Sequence, residues 1–250
     1  MLQVVFEQLS AKVRLNSSHH NHIVSNLSFI VLHTGSGVYN RTMARLSYKE
    51  QIQRVREDAI VEAVNRLLAT KGYDAMTVDE VAAEAGMAKA SVYKHFASKE
   101  DLAGAAMVRA LGRALAFVDD LREQTDVQPI DQLKAVAAWA ITSQLDGEMP
   151  SLPSHNSSLT SSLQANDAYM DHLIGLTNKL SIWITQAQTS GQLNPDLPSE
   201  MTLYILFARA CDPVVGMLKE SGMYTKEQIL AWVLTTTFDG MRVPVATLSA

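Results

Sequence analysis

The sequence predicts an all-α protein of about nine helices, divided into a small N-terminal domain and a larger helical body. After residue 43 no stretch alternates apolar and polar residues as a half-buried strand would, whereas apolar residues recur at helical spacing through most of the chain. A third observation is a short helix-turn-helix pattern between Thr77 and Phe96. We therefore expect one domain over residues 43–97, a helical body over residues 98–250, and residues 1–42 outside both.

The composition is that of an ordinary globular protein. With 250 residues, 47% hydrophobic and 19% charged, the chain is long enough for a well-buried core. No apolar run approaches the ~18 residues needed to cross a bilayer, and the first residues lack the basic start and cleavage site of a signal peptide. The single cysteine, Cys211, excludes an internal disulfide and suits a reducing compartment, so we expect a cytoplasmic protein without a membrane partner.

Charge is unevenly distributed along the chain, whose net charge is −5. Residues 41–102 carry ten Lys/Arg and ten Asp/Glu, whereas residues 103–250 carry nine Lys/Arg and fifteen Asp/Glu. A phosphate backbone is held by a local basic patch. A neutral N-terminal domain on an acidic body is therefore compatible with DNA binding by that domain alone.

The helix-turn-helix pattern lies in the stretch TVDEVAAEAGMAKASVYKHF, which begins at Thr77. Thr77 is a plausible N-cap, and Glu80 three residues later completes a capping box. Gly86 stands where a left-handed residue ends the first helix, and a second helix is expected from about Ala88 to Phe96. Two short helices crossing through a tight turn have the geometry that places the second helix in the DNA major groove.

The same residues resemble a known family. The stretch AAEAGMAKASVYKHFASKEDL is similar to the signature of the TetR family of one-component transcriptional regulators, and the upstream run between residues 56 and 78 resembles that family's first helix and junction. The likeness covers about fifty residues without a gap, with Ala90 where the family often has Gly and Ser91 where it often has Thr. The resemblance implies a ligand-responsive repressor that binds a palindromic operator as a dimer and is released by a small-molecule inducer.

The resemblance and the helix ends together predict the DNA contacts. Thr77 and Lys99 lie at helix starts, where a phosphate can be held, and the matching family positions contact the DNA backbone. Lys89 begins the reading helix and is expected to pair with guanine O6 and N7, with Ser91 on a base or a phosphate. The predicted set is Arg45, Thr77, Lys89, Ala90, Ser91, Tyr93, Lys94, His95 and Lys99.

Three members of this set have a second interpretation. Arg45, in the basic start of the first helix, either enters the minor groove or belongs to a solvated charged face. Tyr93 and His95 match family positions that commonly touch phosphates, but Tyr93 could pack instead, and His95 could act as a protonation switch. Phe96, which follows them, is assigned to the core.

The remaining pattern predicts one helix over residues 48–71, ended by Gly72, and a long fourth helix over residues 98–123. In the TetR family that fourth helix links the DNA-binding domain to the ligand-binding body. Further helices are expected over residues 130–145, 166–191, 198–220 and 225–241, with a proline-containing loop at 146–158. Pro213 is expected to kink or break the helix in which it lies.

The body offers candidates for a ligand cavity without specifying the ligand. The predicted lining is Trp139, His155, Met170, Trp183, Tyr204, Phe207, Arg209 and Cys211. The alternative for each is ordinary bundle core, and Cys211 is typical of a core residue rather than a nucleophile. Arg209 is the most informative, because a charge in an apolar helix needs a partner. That partner is an acidic ligand, Asp212, Asp171 or Asp239.

Family members dimerise by packing their last two helices into a four-helix bundle. The apolar content of residues 201–218 and 228–241 is compatible with such an interface. The expected partners are therefore a double-stranded DNA operator, a small-molecule effector of unknown identity and a second copy of this chain.

Residues 1–42 do not resemble the start of the family fold. Their histidines, His19, His20 and His22, are compatible with a metal-binding arm, but a disordered extension or sequence from upstream of the natural start is the simpler interpretation. We expect the native protein to begin at Met43, a hypothesis that its intact mass from the host organism would contradict by retaining residues 1–42.

Catalysis is the first rival class of function. Ser154, Ser157 and Ser158 surround His155, but there is no nucleophile-elbow motif, phosphate-binding glycine loop or HExxH sequence. We therefore predict no enzymatic activity, cofactor or metal site. A helical partner-binding protein without DNA readout is a second alternative, which the intact polar reading helix disfavours. An activator on the same fold is a third, which the sequence does not separate from a repressor.

Overall fold

The computed structural model describes residues 47–124, 126–151 and 157–241, and within these ranges the chain forms ten α-helices and no strand. The helices are α1 (Tyr48–Ala75), α2 (Val78–Glu84), α3 (Lys89–Val92), α4 (Lys99–Arg122), α5 (Pro129–Leu145), α6 (Ser157–Gln164), α7 (Asp167–Thr189), α8 (Ser199–Arg209), α9 (Pro213–Ser221) and α10 (Lys226–Asp239). The all-α prediction is confirmed. Helix α6 was not predicted, because it is short and rich in serine.

Local signals set the ends of the first three helices. A capping box between Thr77 and Glu80 starts α2, and Gly86 ends the α2 turn with φ 65°, both as predicted. Gly72 interrupts α1 with φ 75°, although helical bonding resumes to Ala75. Helix α3 covers only Lys89–Val92, and the chain then tightens into turns whose amides bond to carbonyls three residues back. The second helix is therefore shorter than the predicted 88–96.

Helix α4 connects the head, which we define as α1–α3, to the rest of the protein. It packs against α1 and, more extensively, against α7. Leu102 and Ala106 of α4 are fully buried together with Ile60, Val64 and Leu68 of α1, in a hydrophobic core that continues into α5, α7 and α8. Because the head and the body share this core, a movement of α4 displaces both.

The chain breaks its last apolar segment at Pro213, as predicted: α8 ends at Arg209 and α9 begins at the proline. Asp212 makes this break possible. Its carboxylate accepts a hydrogen bond from the Val214 amide at 2.9 Å and pairs with the Arg209 guanidinium at 2.7 Å. The Gln144 side chain meets the Asp212 backbone in both directions, at 2.8 and 3.3 Å. The partner of Arg209 is thus Asp212.

The stretch Ser199–Ser221 is the one segment of the described ranges long and apolar enough to cross a membrane. The prediction that no such segment exists was therefore wrong by this criterion. The segment was overlooked because Arg209 and Asp212 interrupt its apolar residues. The ion pair and the helix break count against a membrane-spanning role. Only 28% of its most apolar window is buried, so much of its apolar surface faces outward.

Replacing Asp212 tests how much this break depends on one carboxylate. Asp212→Ala removes the α9 cap and leaves Arg209, which is 23% exposed, without its partner. We expect unfolding to become easier by about 2–4 kcal/mol, and by about half as much for Asp212→Asn, which can still accept from Val214. Urea unfolding at fixed protein concentration measures this difference. Equal stability of the alanine variant and the wild type would contradict it.

Candidate functional site

The outward face of the helix-turn-helix carries the predicted readout residues. Lys89, Ala90 and Lys94 are exposed, Tyr93 is 47% exposed and Ser91 is half-buried. Val92 points the other way and is fully buried, as is typical of a reading helix held by its apolar side. The exposure of Tyr93 disfavours the alternative in which its ring packs in the core.

Lys89 is already paired in the free protein. Its ammonium lies 2.8 Å from the Asp79 carboxylate in the first turn of α2, and this hydrogen bond raises the pKa of Lys89. To reach a guanine, Lys89 must exchange this carboxylate for the base. Both groups are largely exposed, so water lowers the cost of that exchange.

Thr77 already forms three hydrogen bonds with Glu80 in the free protein. Its amide donates to the Glu80 carboxylate at 3.0 Å, and its hydroxyl both donates to that carboxylate at 3.0 Å and accepts from the Glu80 amide at 3.2 Å. Asp79 and Glu80 also place two carboxylates in the first turn of α2. A phosphate at Thr77 would therefore displace part of the capping box, and the phosphate role of Thr77 stays a prediction.

Lys99 and His95 both contact residues of α1. The Lys99 ammonium lies 4.4 Å from the centre of the Tyr73 ring and donates to the Asp74 carbonyl at 3.3 Å. His95 is only 11% exposed at its side chain, and its Nδ1 lies 3.1 Å from Glu57. The Gln53 side chain and then His95 lower the pKa of the Glu57 carboxyl. Arg45 and His155 lie outside the described residues.

A second feature is a cavity of about 70 Å³ in the body, enclosed by α4, α5, α7, α8 and the loop after α5. Its walls are almost entirely apolar. The lining residues are Met107, Ala110, Leu111, Ala114, Val136, Trp139, Ala140, Met149, Pro150, Tyr169, Leu173, Leu176, Leu180, Leu206, Phe207 and Ala210. Of the predicted ligand residues, Trp139 and Phe207 lie on this wall, and Trp139 also stacks on Phe117 with 5.7 Å between ring centres.

The other predicted ligand residues lie elsewhere. Trp183 borders an open recess near the end of α4, while Tyr204 and Arg209 border shallow surface recesses along α8. Met170 packs against the core, and Cys211 is half-buried, with burial raising the pKa of its thiol. Cys211 thus has the environment of an inert core cysteine.

The sequence matches known proteins in the region of the head. Residues 60–106 match the model of the family described as bacterial regulatory proteins, tetR family. These residues contain the second half of α1, the complete helix-turn-helix and the start of α4. The helix-turn-helix domain belongs to the TetR family.

Curated relatives agree with this assignment over the same part of the chain. An uncharacterised HTH-type transcriptional regulator of Bacillus subtilis, YerO, is 32% identical over 74 residues, which are 30% of this chain and 26% of YerO. The HTH-type transcriptional regulator AlkX of Mycobacterium tuberculosis is 29% identical over 82 residues, 33% of this chain and 37% of AlkX. The matched stretch thus spans between a quarter and two fifths of these relatives.

The fold similarity extends further than the sequence similarity. The crystal structure of FadR from Bacillus subtilis in complex with stearoyl-CoA aligns with 74% of this chain and 99% of FadR, with a TM-score of 0.56 and 19% identity. At this identity the match shows a shared fold and nothing more specific.

The TetR-type head and the cavity meet at one loop, Asp146–Ser151, which we call the clamp loop. The buried Asn65 side chain of α1 donates to the Glu148 carbonyl at 3.0 Å. Arg113 of α4 donates to the same carbonyl and to the Glu148 carboxylate, both at 2.8 Å. The Ser151 amide donates to the Leu68 carbonyl at 3.3 Å. Between these contacts, Met149 and Pro150 form part of the cavity wall.

The clamp loop was missed in the sequence, although one signal pointed to it. Asn65 interrupts the apolar stripe of α1 and is only 8% exposed. A buried amide of this kind needs a hydrogen-bond partner, which could have marked α1 as the site of a polar junction. Tyr169 was also overlooked, since its ring falls within the expected apolar face of α7 and looks like core.

Two lysine replacements separate base reading from phosphate attraction on this surface. Lys89→Ala should cost about 1–3 kcal/mol of specific binding and relax base preference at one position. Lys99→Ala should weaken binding to all sequences and reduce the slope of log affinity against log salt by about one. Fluorescence anisotropy over a salt series on specific and scrambled duplexes measures both effects.

Lys134→Ala, which removes the same charge from α5, is the matched control and should leave DNA binding unchanged. An unaltered base profile for Lys89→Ala would remove this residue from the readout. Equal losses at every salt concentration would argue against a phosphate role for Lys99.

Proposed function

We propose that this protein is a cytoplasmic, dimeric transcriptional repressor that binds a palindromic operator and is released by a small-molecule inducer. The observation that carries the proposal is the clamp loop. The same six residues line the cavity through Met149 and Pro150 and hydrogen-bond to the head through Glu148 and Ser151. A ligand that changes the cavity wall therefore acts directly on α1.

DNA reading is supported by the exposed start of α3. Lys89, Ala90 and Lys94 are presented to solvent by a helix whose opposite side is anchored through Val92. Reading helices in this motif contact base edges with their N-terminal residues. The other predicted DNA contacts, including Arg45 and His95, remain part of the proposal.

Dimerisation is supported by apolar side chains that the single chain leaves exposed on its last helices. Met201, Val214, Met217 and Trp232 are between 44% and 70% exposed. Trp232 also forms an edge-to-face pair with Tyr224, whose ring centre is 5.1 Å away. A second copy packing on this surface would bury it and would hold two heads at the spacing that a palindrome requires.

An activator that uses the same contacts is the alternative function. We choose repression because the family resemblance favours it.

Selection of bound sequences from random duplex DNA, using protein that begins at Met43, tests the proposal. We expect a palindrome whose half-sites lie about one helical turn or a small multiple of it apart, since each subunit contributes one reading helix. Enrichment of a single half-site would contradict the dimeric reader. No enrichment at low salt, from a folded dimer, would favour a partner-binding protein without DNA readout.

The selected operator then allows the clamp loop to be tested without any ligand. Arg113→Met removes both donors that Arg113 directs to Glu148 and should mimic release, lowering operator affinity about 5–150-fold. Asn65→Ala should act in the same direction, because it removes the donor from α1.

The matched control is Arg122→Met, which removes the same charge from the same helix but only loses a pairing with Asp119 at 3.6 Å. Circular dichroism and size-exclusion chromatography establish that each variant is folded and dimeric. Wild-type operator affinity in a folded Arg113→Met protein would show that the clamp loop does not couple the cavity to the head.

A further inference from the structure

We propose that the cavity binds an uncharged, mainly aliphatic molecule carrying one hydrogen-bonding oxygen, and that the Tyr169 hydroxyl recognises that oxygen. This inference rests on the proposed function in taking the cavity as the ligand site. It names the chemical class of the ligand and a specificity-determining residue.

The composition of the cavity wall indicates that the ligand is uncharged. Among the residues that the structure describes, the lining side chains include no Lys, Arg, His, Asp or Glu. A carboxylate, phosphate or ammonium group inside would lose its hydration without gaining a counterion, which is strongly unfavourable. An uncharged aliphatic group instead gains from contact with leucine, alanine and methionine side chains.

Tyr169 supplies hydrogen-bonding capacity on this wall. Its side chain is 1% exposed, and no described residue forms a hydrogen bond with its hydroxyl. An apolar wall offers a hydroxyl few competing partners, so a ligand oxygen that pairs with it there forms a stronger hydrogen bond than the same pair would form in water. Burial also raises the pKa of Tyr169 to about 12, which keeps the phenol protonated and able to donate at neutral pH.

The position of Tyr169 is fixed by its helix rather than by a flexible loop. The residue lies in the first turn of α7, and its amide donates to the Asn166 side chain, the N-cap, at 3.0 Å. A donor held on a capped helix offers a defined direction to the ligand oxygen. Trp139 carries the other polar side-chain atom on the wall, its indole N–H, but its ring is half-buried and already stacked on Phe117.

The small size of the cavity connects ligand binding to the proposed release of the head from DNA. A volume of about 70 Å³ is below the roughly 300–1,000 Å³ of ordinary ligand sites, so a larger ligand must displace part of the wall. The adaptable part consists of Met107, which can change rotamer, and Met149, which lies in the clamp loop. Expansion at Met149 would pull on Glu148 and thereby on its bonds to α1 and α4.

Four six-carbon probes test the ligand class on the full chain: 1-hexanol, hexane, hexanoate and hexylammonium at pH 7. Binding is followed through the ¹³C-labelled methyl resonances of Met107 and Met149, which report on the cavity itself. We expect 1-hexanol to bind at least about 100-fold more tightly than either charged probe, since an ion in this cavity has no counterion. Tyr169→Phe should weaken 1-hexanol about 3- to 10-fold and leave hexane unchanged.

Tyr48→Phe, which removes the same hydroxyl from a 77% exposed residue at the start of α1, is the control and should preserve the preference for 1-hexanol over hexane. Charged probes that bind as tightly as 1-hexanol, Tyr169→Phe without effect on 1-hexanol, or no shift of Met107 and Met149 by any probe would each overturn the inference. Operator binding at saturating 1-hexanol is measured separately. Tyr169-dependent binding that leaves operator affinity unchanged would support the ligand class while refuting the proposed regulatory role of the cavity.

Discussion

One backbone carbonyl, that of Glu148, joins the head to the body by accepting hydrogen bonds from both. It accepts from Asn65 of α1 and from Arg113 of α4, two helices that already pack together. The Asn65 side chain that bonds to this carbonyl is only 8% exposed, and a buried polar group that loses its partner costs about 1–3 kcal/mol, so the clamp loop leaves this position only when something offsets that cost. Because Met149 and Pro150 belong to the same loop, the binding free energy of a ligand in the cavity is available for this purpose.

On the proposed DNA-reading face, too, polar side chains are already paired within the protein before DNA binds. Lys89 pairs with Asp79, and Thr77 is bonded to Glu80, so the free surface is neither strongly basic nor unsatisfied. Phosphates and bases must exchange with these internal partners. With ten basic and ten acidic residues over 41–102, this part of the chain would gain little from bulk charge, and its affinity for DNA would depend more on matched contacts. This arrangement favours discrimination between sequences over tight general binding.

The sequence predicted the parts of the molecule that short-range physics determines. The capping box at Thr77 and the left-handed Gly86 follow from local hydrogen bonding and backbone freedom and appear where expected, whereas Gly72 interrupts α1 without ending it. It did not predict which apolar residues surround a void, because Trp183 and Phe207 have the same helical periodicity although only Phe207 lines the cavity. Nor did it predict the Asn65 contact with Glu148, since those residues are 83 positions apart and no local pattern joins them.

In the proposed dimer, helix α8 would give the cavity a second route to the DNA. Leu206 and Phe207 on one side form the cavity wall, while Met201 on another side is 48% exposed on the surface that we propose a second copy covers. In the proposed dimer, a ligand that enlarges the cavity would therefore press on the clamp loop of its own chain and on the subunit contact at once. Because a palindrome is read only when both heads keep a fixed spacing, a small shift along either route lowers the affinity of the dimer as a whole.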